Sequence, residues 1–305
     1  MKKTSVYLPD DLKVALAAAA GRSGRSEADT IRRAVEQFVR RGQPAPPADL
    51  RSRRPLPLAP CLIGVGVGPG DPDLLTGRAR RVFEAADRVF AGSVAADSVS
   101  RAEAVVYAAV PGVAVERLVV HIGPGEEARH RSFQVAAERI ASCLDRGELV
   151  AFATLGDPNL YSAFPELAAE VRRLRPAAAV EGEPGILPFQ QLAATTSTQI
   201  AGQGETVSLV TLGDDTDDLE ALLEREGATV VIYKGGRRLP EIAASLASRH
   251  RLEGAVAGEL LGQPGERCLP LADLASRPGS YLATAIIPAR RRAAAEAATD
   301  GGDER

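Results

Sequence analysis

The stretch that most constrains the fold runs from Cys61 to Phe90 and has the sequence CLIGVGVGPGDPDLLTGRARRVFEAADRVF. Its apolar start is typical of a buried strand, and the glycines and proline of GVGPG force a tight turn with few side chains. Asp71-Pro72-Asp73 then supplies helix-start residues, and apolar residues from Leu74 to Ala86 follow at helical spacing. The stretch predicts a strand, a glycine loop and a helix. Such a loop brings backbone close to a ligand, although a tight turn without a ligand has the same pattern.

Two later stretches have the same form, with turns at Leu155-Gly156-Asp157-Pro158 and at Gly182-Glu183-Pro184-Gly185. In a parallel α/β sheet these loops gather at the carboxyl ends of the strands, where open sheets bind ligands. The first loop does not have the G-x-G-x-x-G spacing, and no Lys-Ser or Lys-Thr of a P-loop follows it. The pattern therefore disfavours nicotinamide binding and nucleotide hydrolysis.

Strand and helix signals alternate along the chain and predict an α/β fold in two halves, residues 61–204 and 205–288. In the first half the predicted strands are Val89–Phe90, Ala104–Tyr107, Glu148–Thr154 and Ala178–Glu181, and the predicted helices are Glu126–Leu144, Tyr161–Leu174 and the segment from Gly185 to Ala194. In the second half the predicted strands are Val207–Leu212, Thr229–Tyr233, Ala255–Leu260 and Tyr281–Pro288, and the predicted helices are Thr216–Glu226 and Leu239–Ser248. Residues 289–305 are charged and rich in alanine and glycine, which predicts a frayed tail.

The charge distribution and the cysteine content limit the classes of protein to which this chain can belong. In this chain of 305 residues, residues 1–60 hold 12 Lys and Arg against 6 Asp and Glu, a net charge of +6, so the remaining residues carry −9 of the total of −3. A basic head on an acidic body suggests an anionic partner for the head. The cysteines, Cys61, Cys143 and Cys268, are widely spaced, which argues for a reducing cytoplasm and against a disulfide scaffold or a metal site. The sequence has no apolar signal segment and no membrane-spanning run, so we expect a soluble cytoplasmic protein.

Residues 1–41 are predicted to form a separate basic module. Residues 3–8 alternate with the period of a strand, Pro9-Asp10-Asp11 begins a helix through Ala20, residues 21–25 form a turn, and Ser26 caps a second helix. The pattern resembles the ribbon-helix-helix family of DNA-binding proteins, whose chains pair their strands. That resemblance implies a homodimer and a ribbon face that meets DNA through Lys3, Ser5 and Tyr7. Dimerisation without DNA binding is the alternative. Residues 42–60, rich in proline and arginine, predict a stiff linker.

Four stretches of the body carry a more specific resemblance, in this order and spacing: GVGPGDPDLLT, TLGDPNLYSAF, VIYKGG and YLATAIIP. Over residues 61–288 the chain resembles the tetrapyrrole methylases. The resemblance implies S-adenosylmethionine as the cofactor, held in a cleft between the two halves, and a tetrapyrrole substrate. The second and third stretches are most similar to the members that methylate precorrin-2 at C-20. The implied substrate is therefore precorrin-2 or cobalt-precorrin-2, and the sequence does not separate the two.

The resemblance also implies site residues, position by position. Those implied in cofactor binding are Pro69, Gly70, Leu155, Gly156, Asp157, Leu160, Leu187, Pro188, Tyr233, Lys234, Ala283, Thr284 and Ala285. Tyr161, Arg237 and Arg238 are candidate substrate contacts, because a polycarboxylate ring is bound by cations and an aromatic face, although a surface or packing role fits them equally well. Asp157 could meet the positive charge of the cofactor or cap the following helix.

The assigned residues include no catalytic triad, metal ligand set or general base. Methyl transfer to an electron-rich ring carbon needs alignment and water exclusion more than acid–base side chains. Two alternatives remain open on the sequence. One is a DNA-binding transcriptional regulator whose methylase-like body senses the cofactor or a corrinoid, and the other is a related methylase that acts on another ring position.

Overall fold

The computed structural model describes residues 7–41, 55–121, 125–212, 220–221, 223–224 and 227–290. The chain divides into two compact units, Met1–Pro55 and Leu56–Arg305. Several predictions lie outside the described residues: Lys3 and Ser5 with their strand, residues 42–54 of the linker, most of the helix at Thr216–Glu226 and the tail beyond Arg290. In the described part of the chain, no helix is both long and apolar enough to cross a membrane.

The first unit contains two helices, α1 (Asp10–Ser23) and α2 (Glu27–Arg41). α1 continues into the segment that the sequence predicted as a turn, and the chain reverses only at Gly24, whose φ of 62° suits glycine. α2 begins as predicted, because Ser26 Oγ accepts a hydrogen bond from the backbone N–H of Asp29 at 3.2 Å. Tyr7 precedes these helices, and its side chain is 97% exposed.

The first half of the second unit alternates strands and helices around a five-stranded sheet. Its elements are β1 (Cys61–Gly66), α3 (Gly77–Ala85), β2 (Arg88–Ser93), α4 (Arg101–Ala109), β3 (Val115–Val119), α5 (Glu126–Asp145), β4 (Leu149–Thr154), α6 (Phe164–Leu174), β5 (Ala179–Glu183) and α7 (Pro188–Thr196). All strand pairs are parallel, in the spatial order β3-β2-β4-β1-β5. Because β1, β4 and β5 are neighbours, their three glycine turns meet at one edge of the sheet, as the sequence predicted.

Two strand assignments in this half differ from the prediction. The segment Ala104–Tyr107 was predicted as a strand but lies inside α4, because Ser100 and Glu103 form a capping box that begins a helix. On the side away from β4, β2 pairs with β3, a strand that the sequence did not predict. Its sequence, VERLV, carries two charged residues in a row and is only partly buried, so it lacks the apolar run of a central strand.

Two helices begin later than the sequence predicted. Asp71 caps only a short 3₁₀ turn, Pro72–Leu74, whereas α3 begins after Thr76, whose Oγ1 accepts a hydrogen bond from the backbone N–H of Ala79 at 3.0 Å. The helix predicted from Tyr161 begins at Phe164, because Tyr161 adopts a φ of 50° that no α-helix accommodates. The residues between the turns and these helices are therefore left in loops beside the sheet edge.

The second half is built on a mixed sheet. Its elements are β6 (Thr206–Thr211), β7 (Ala228–Tyr233), α8 (Leu239–Ser248), β8 (Val256–Glu259), β9 (Arg267–Pro270), the single turn α9 (Leu271–Leu274) and β10 (Thr284–Ile287). The spatial order is β6-β7-β10-β8-β9, with β6 and β7 parallel and the other pairs antiparallel. β9 was not predicted, and Tyr281 and Leu282, predicted as strand, lie in a turn before β10.

Apolar packing joins the two halves. Leu192 and Ala193 of α7, in the first half, pack against Val231, Tyr233 and Ile286 of the second sheet. The opposite face of that sheet is covered by α8 and α9, and both faces of the first sheet are also buried. α7 therefore packs on one face of the second sheet and joins the two halves.

Candidate active site

The three glycine turns of the first half are locked together through their backbones. Gly68 N–H donates to Gly156 O at 3.3 Å, and Gly156 N–H donates to Gly68 O at 2.8 Å. A Cβ on Gly66 would lie 2.5 Å from Gly156 O and 2.6 Å from the nitrogen of Gly185, so no side chain fits between the turns. The glycines are therefore required by close packing of backbone, and the turns form one continuous wall.

Two carboxylates hold the third turn in place. Asp157 Oδ2 accepts a hydrogen bond from Gly185 N–H at 3.1 Å, and Asp157 Oδ1 accepts one from Asn159 N–H at 2.8 Å. Glu183 is buried and pairs with Arg78 of α3, with Nε and Oε2 separated by 2.5 Å. Asp157 thus caps its own turn, and both of its oxygens are engaged by backbone amides. It does not cap the following helix, as the alternative prediction had it, because α6 begins only at Phe164.

A cavity of about 570 Å³ lies between this wall and the second half. Ten of the thirteen residues predicted for the cofactor line it: Pro69, Leu155, Gly156, Asp157, Leu160, Leu187, Pro188, Tyr233, Lys234 and Thr284. Tyr161, a predicted substrate contact, lines it too. The structure therefore brings residues from four separate sequence motifs to one cavity of the size that binds small molecules.

Five of the residues predicted to contact cofactor or substrate do not line the cavity. Gly70 packs against the loop after β8, where a Cβ would overlap Leu261 O. Ala283 and Ala285 point into the core beneath α8, because side chains alternate along β10 and only Thr284 between them faces the cavity. Arg237 and Arg238 also lie outside its lining, and Arg238 pairs with Glu241 at 2.8 Å.

The second half contributes side chains to the cavity. The phenol oxygen of Tyr233 is buried and has no hydrogen-bond partner among the described residues, and burial raises the pKa of this phenol. Its ring lies 5.5 Å from the Tyr161 ring and 6.3 Å from that of Phe189. Tyr161 OH in turn donates to Leu209 O of β6 at 2.8 Å, so Tyr161 links the two halves directly.

Several cavity residues were missed by sequence reasoning. They include Arg129 and Phe133 of α5, residues 92–94 and 98–102 from the end of β2 to the start of α4, and Leu260, Leu261, Gln263, Tyr281 and Leu282 of the second half. Arg129 and Phe133 are four residues apart on a helix, and the guanidinium carbon lies 5.5 Å from the ring centroid. This spacing was a usable signal, but it did not show which helix faces the cavity.

A buried ion pair holds the loop between β2 and α4 in place. Glu103 is fully buried and accepts from Arg117 Nε at 2.8 Å, and Arg117 also donates to Ala96 O at 2.9 Å. The hydrogen bond from Arg117 lowers the pKa of the Glu103 carboxyl. Ser93 Oγ lies 2.8 Å from Ala95 O and 2.6 Å from Ser98 O. The exposed valines of this loop, Val94 and Val99, are thereby fixed at the cavity rim.

The cysteines are poor candidates for catalysis. All three are free, and Cys61 and Cys143 are buried. Burial raises the pKa of Cys61 to about 11 and that of Cys268 to about 12, which keeps both thiols protonated at neutral pH. Within the described residues, no group of three or more His, Cys, Asp or Glu could hold a metal ion.

The fold and the cavity agree with comparisons to known proteins. The model of the tetrapyrrole (corrin/porphyrin) methylases matches residues 61–275, and the chain belongs to that family. Enzymes of this family use S-adenosylmethionine as methyl donor. Residues 2–42 match the model of the ribbon-helix-helix proteins of the copG family.

Relatives of known function are similar over the second unit. The chain is 32% identical over 242 residues to the cobalamin biosynthesis protein CobIJ of Mycobacterium tuberculosis, covering 76% of this chain and 47% of the relative. The chain thus spans about half the length of that relative. It is 30% identical to a precorrin-2 C(20)-methyltransferase of Sinorhizobium sp, covering 74% of this chain and 94% of the relative. It is 29% identical to a precorrin-4 C(11)-methyltransferase of Rhodococcus erythropolis, covering 60% and 69%.

Solved structures support the fold. The cobalt precorrin-4 methyltransferase CbiF superimposes with a TM-score of 0.57 at 20% identity, over 74% of this chain and 94% of that one. The methyltransferase CobJ superimposes with a TM-score of 0.52 at 18% identity, over 76% and 96%. These likenesses confirm the predicted two-domain methylase architecture.

Proposed function

We propose that this chain is an S-adenosylmethionine-dependent C-methyltransferase that acts on precorrin-2 or cobalt-precorrin-2 at C-20. The observation that carries the proposal is the cavity enclosed by the glycine turns of the first half and by Tyr233, Lys234 and Thr284 of the second. The similarity to a precorrin-2 C(20)-methyltransferase, which spans 94% of that relative, supports the choice of substrate. The similarity to a C(11)-methyltransferase makes a related ring position the nearest alternative.

The residues of the cavity fit S-adenosylmethionine. At the turns, Gly156 presents backbone to the cavity beside Pro69 and Pro188, which suits recognition of adenine and ribose without a charged pocket. The buried Tyr233 hydroxyl, without a partner among the described residues, can donate to a polar atom of a bound cofactor. Leu155, Leu160 and Leu187 supply apolar contact.

S-adenosylmethionine, when bound, supplies an electrophilic methyl group. The protein's part is to align and to exclude water, and the interlocked turns are rigid enough for both. The exposed Val94 and Val99 at the rim, and the ring of Tyr161, offer an apolar surface for a flat macrocycle. We assign no general base.

Calorimetric titration with S-adenosylhomocysteine and mass spectrometry of the product test this function. We expect binding of S-adenosylhomocysteine and the gain of one methyl group on precorrin-2, cobalt-precorrin-2 or both. Comparing the two substrates decides which is preferred, and NMR of the product decides the ring position. The proposal fails if the protein neither binds S-adenosylhomocysteine nor methylates any precorrin.

A second function, DNA binding by residues 2–42, is supported by the ribbon-helix-helix match and by the basic charge of the head. Tyr7 is almost fully exposed, which a base-contacting residue requires in the free protein. A gel-shift assay on DNA upstream of the gene, with and without S-adenosylmethionine, tests the regulator hypothesis. Lys3→Ala with Tyr7→Ala is expected to reduce retention, and unaltered retention would count against DNA binding.

We also propose that the chain is a homodimer. In the first unit the side chains of Leu12, Val14 and Val35 are exposed, although α1 and α2 are too few elements to form a stable core alone. Pairing with a second copy would cover such surface. Light scattering of the full chain is expected to give twice the chain mass, and a monomer would refute the proposal.

A further inference from the structure

Lys234 occupies an unusual position at the end of β7. It is half-buried, lines the cavity and adopts a left-handed φ of 56°, a conformation that strains the backbone of a non-glycine residue. Its Nζ donates to Tyr161 O at 3.2 Å. Within the described residues this ammonium forms no ion pair with a carboxylate. A strained backbone thus presents a cation to the cavity without a countercharge.

Arg129 of α5 brings a second cation to the same cavity. Its guanidinium is oriented by Glu166 of α6, with Nε 2.9 Å and Nη2 2.6 Å from Glu166 Oε2. Burial and the positive charge of Arg129 lower the pKa of Lys234, so the two cations are close enough to repel each other. Such repulsion favours an arrangement in which an anion sits between them.

The surroundings of this pair are aromatic and open. Tyr281 lines the cavity with its side chain exposed, and the guanidinium carbon of Arg237 lies 5.8 Å from its ring centroid. Tyr161 also lines the cavity and is exposed. The carboxylate that lines the cavity, Asp157, is engaged by two backbone amides and does not neutralise Lys234. The corner therefore has an excess of positive charge at the exposed mouth of the cavity.

We infer that Lys234 and Arg129 form a carboxylate-binding corner that orients an acidic ring-shaped substrate by one of its carboxylate side chains. The inference rests on the proposed function and moves Lys234 from the cofactor to the substrate. The corner lies beside the exposed aromatic rings, where a ligand too large for the cavity would extend outward, whereas the glycine turns line the enclosed wall. Lys234 and Arg129 are positioning residues and take no part in bond making.

Uroporphyrin III, a polycarboxylate tetrapyrrole, and its neutral octamethyl ester are suitable probes, because their binding is measured by fluorescence without turnover. The variants are Lys234→Met, Lys234→Arg, and Arg129→Met combined with Glu166→Gln, which leaves no unpaired carboxylate. Arg131→Met is the control: it lies on the same helix, its side chain is 72% exposed, and it pairs only with Glu127 among the described residues. Calorimetric titration with S-adenosylhomocysteine on each variant reports the cofactor site separately.

We expect K234M to weaken uroporphyrin binding by about tenfold or more, the usual effect of losing a charge-assisted hydrogen bond. The Arg129 double variant should show a similar loss, K234R should retain most of the affinity, and R131M should bind like the wild type. Affinity for the ester and for S-adenosylhomocysteine should not change.

Several results would overturn the inference. One is wild-type affinity of K234M for uroporphyrin, and another is an equal loss for the ester, which would indicate a structural defect. A loss of S-adenosylhomocysteine binding alone would assign Lys234 to the cofactor, and a wild-type protein that binds neither porphyrin would also refute the corner. Failure of the proposed function would give a different result, because the wild type would then not bind S-adenosylhomocysteine. The porphyrin assay would still show whether Lys234 and Arg129 bind a carboxylate.

Discussion

The two walls of the cavity are held in place in different ways. The wall from the first half rests on interlocked backbone, because the turns at Gly68, Gly156 and Gly185 pack so closely that no side chain fits between them. The wall from the second half is made of side chains, with Tyr233 and Lys234 projecting from the end of β7. A substitution in the interlocked turns of the first wall should disrupt the shape of the cavity. A substitution in the second wall should alter the charge and the ligand selectivity of the cavity while the fold is kept.

Gly185→Ala is expected to have the largest effect. Its Cβ would overlap Gly156 O and lie 2.9 Å from the Cα of Gly66, and backbone on both sides leaves no room to relax. We expect a loss of about 3 kcal/mol in the free energy of unfolding, together with loss of S-adenosylhomocysteine binding. Urea unfolding and calorimetric titration measure the two effects.

Gly77→Ala is the matched control for this prediction. It sits at the start of α3, and its Cβ would meet nothing within 4 Å. Alanine there should leave stability unchanged or raise it slightly, by about 0.5 kcal/mol. A Gly185→Ala protein as stable as Gly77→Ala would contradict the view that the first wall depends on backbone contact.

Glu103→Gln tests the support beneath the rim loop. The substitution removes the charge that pairs with Arg117, and we expect a loss of about 1.5–3 kcal/mol in the free energy of unfolding, the range for hydrogen bonds to charged groups. Because the folded-state pKa of Glu103 is lowered, its contribution is present above the ordinary glutamate pKa and is lost as the pH falls through the lowered value. Urea unfolding at neutral and acid pH should therefore show a wild-type advantage that shrinks in acid. An advantage independent of pH would disprove the role of this charge.

Lys234 should make the binding of an acidic ligand to the cavity depend on pH. Its pKa is lowered by burial and by Arg129, and only the protonated ammonium attracts a carboxylate. Uroporphyrin affinity of the wild type should be full below that lowered pKa and fall as the pH rises through it. The fall should not exceed the loss of about tenfold or more that is expected for K234M. Around Lys234, the Glu166 carboxylate is held by Arg129, and burial raises the pKa of the Tyr233 phenol, which keeps that phenol neutral. Fluorescence titrations from neutral to alkaline pH should give a flat profile for K234M and for K234R, since arginine stays protonated. A falling profile in K234M would assign the titration to another group.

Tyr161→Phe is expected to have the smallest effect. It removes the hydrogen bond to Leu209 O that joins the halves at 2.8 Å, which should cost about 0.5–1.5 kcal/mol in the free energy of unfolding. Tyr107→Phe is the control, because Tyr107 OH also donates to a backbone carbonyl, Val115 O, but at 3.5 Å within one half. If both variants lose the same stability by urea unfolding, the link between the halves has no special role.

Much of the architecture was predictable because it rests on local signals. The glycine turns, the Ser26 cap and the bounds of α8 were visible in the sequence, since caps, turns and apolar periodicity each act over a few residues. The strand predicted at Ala104–Tyr107 was wrong. Its β-branched residues suggested a strand, but the capping box at Ser100 begins a helix that contains the whole segment. β3 and β9 were not predicted because they are edge strands, which are short and carry polar residues.

The sequence by itself determined that glycine turns follow strands and that four motifs belong to a methylase body. Only the tertiary structure decided which side chains meet in the cavity. Thr284 faces it and Ala283 and Ala285 do not, because β10 alternates its faces. Arg129 joins Lys234 there because α5 and the end of β7 pack toward the same space, and contacts between distant segments leave no local pattern. Backbone conformation is encoded locally, whereas the charge of a cavity depends on how two sheets are set against each other.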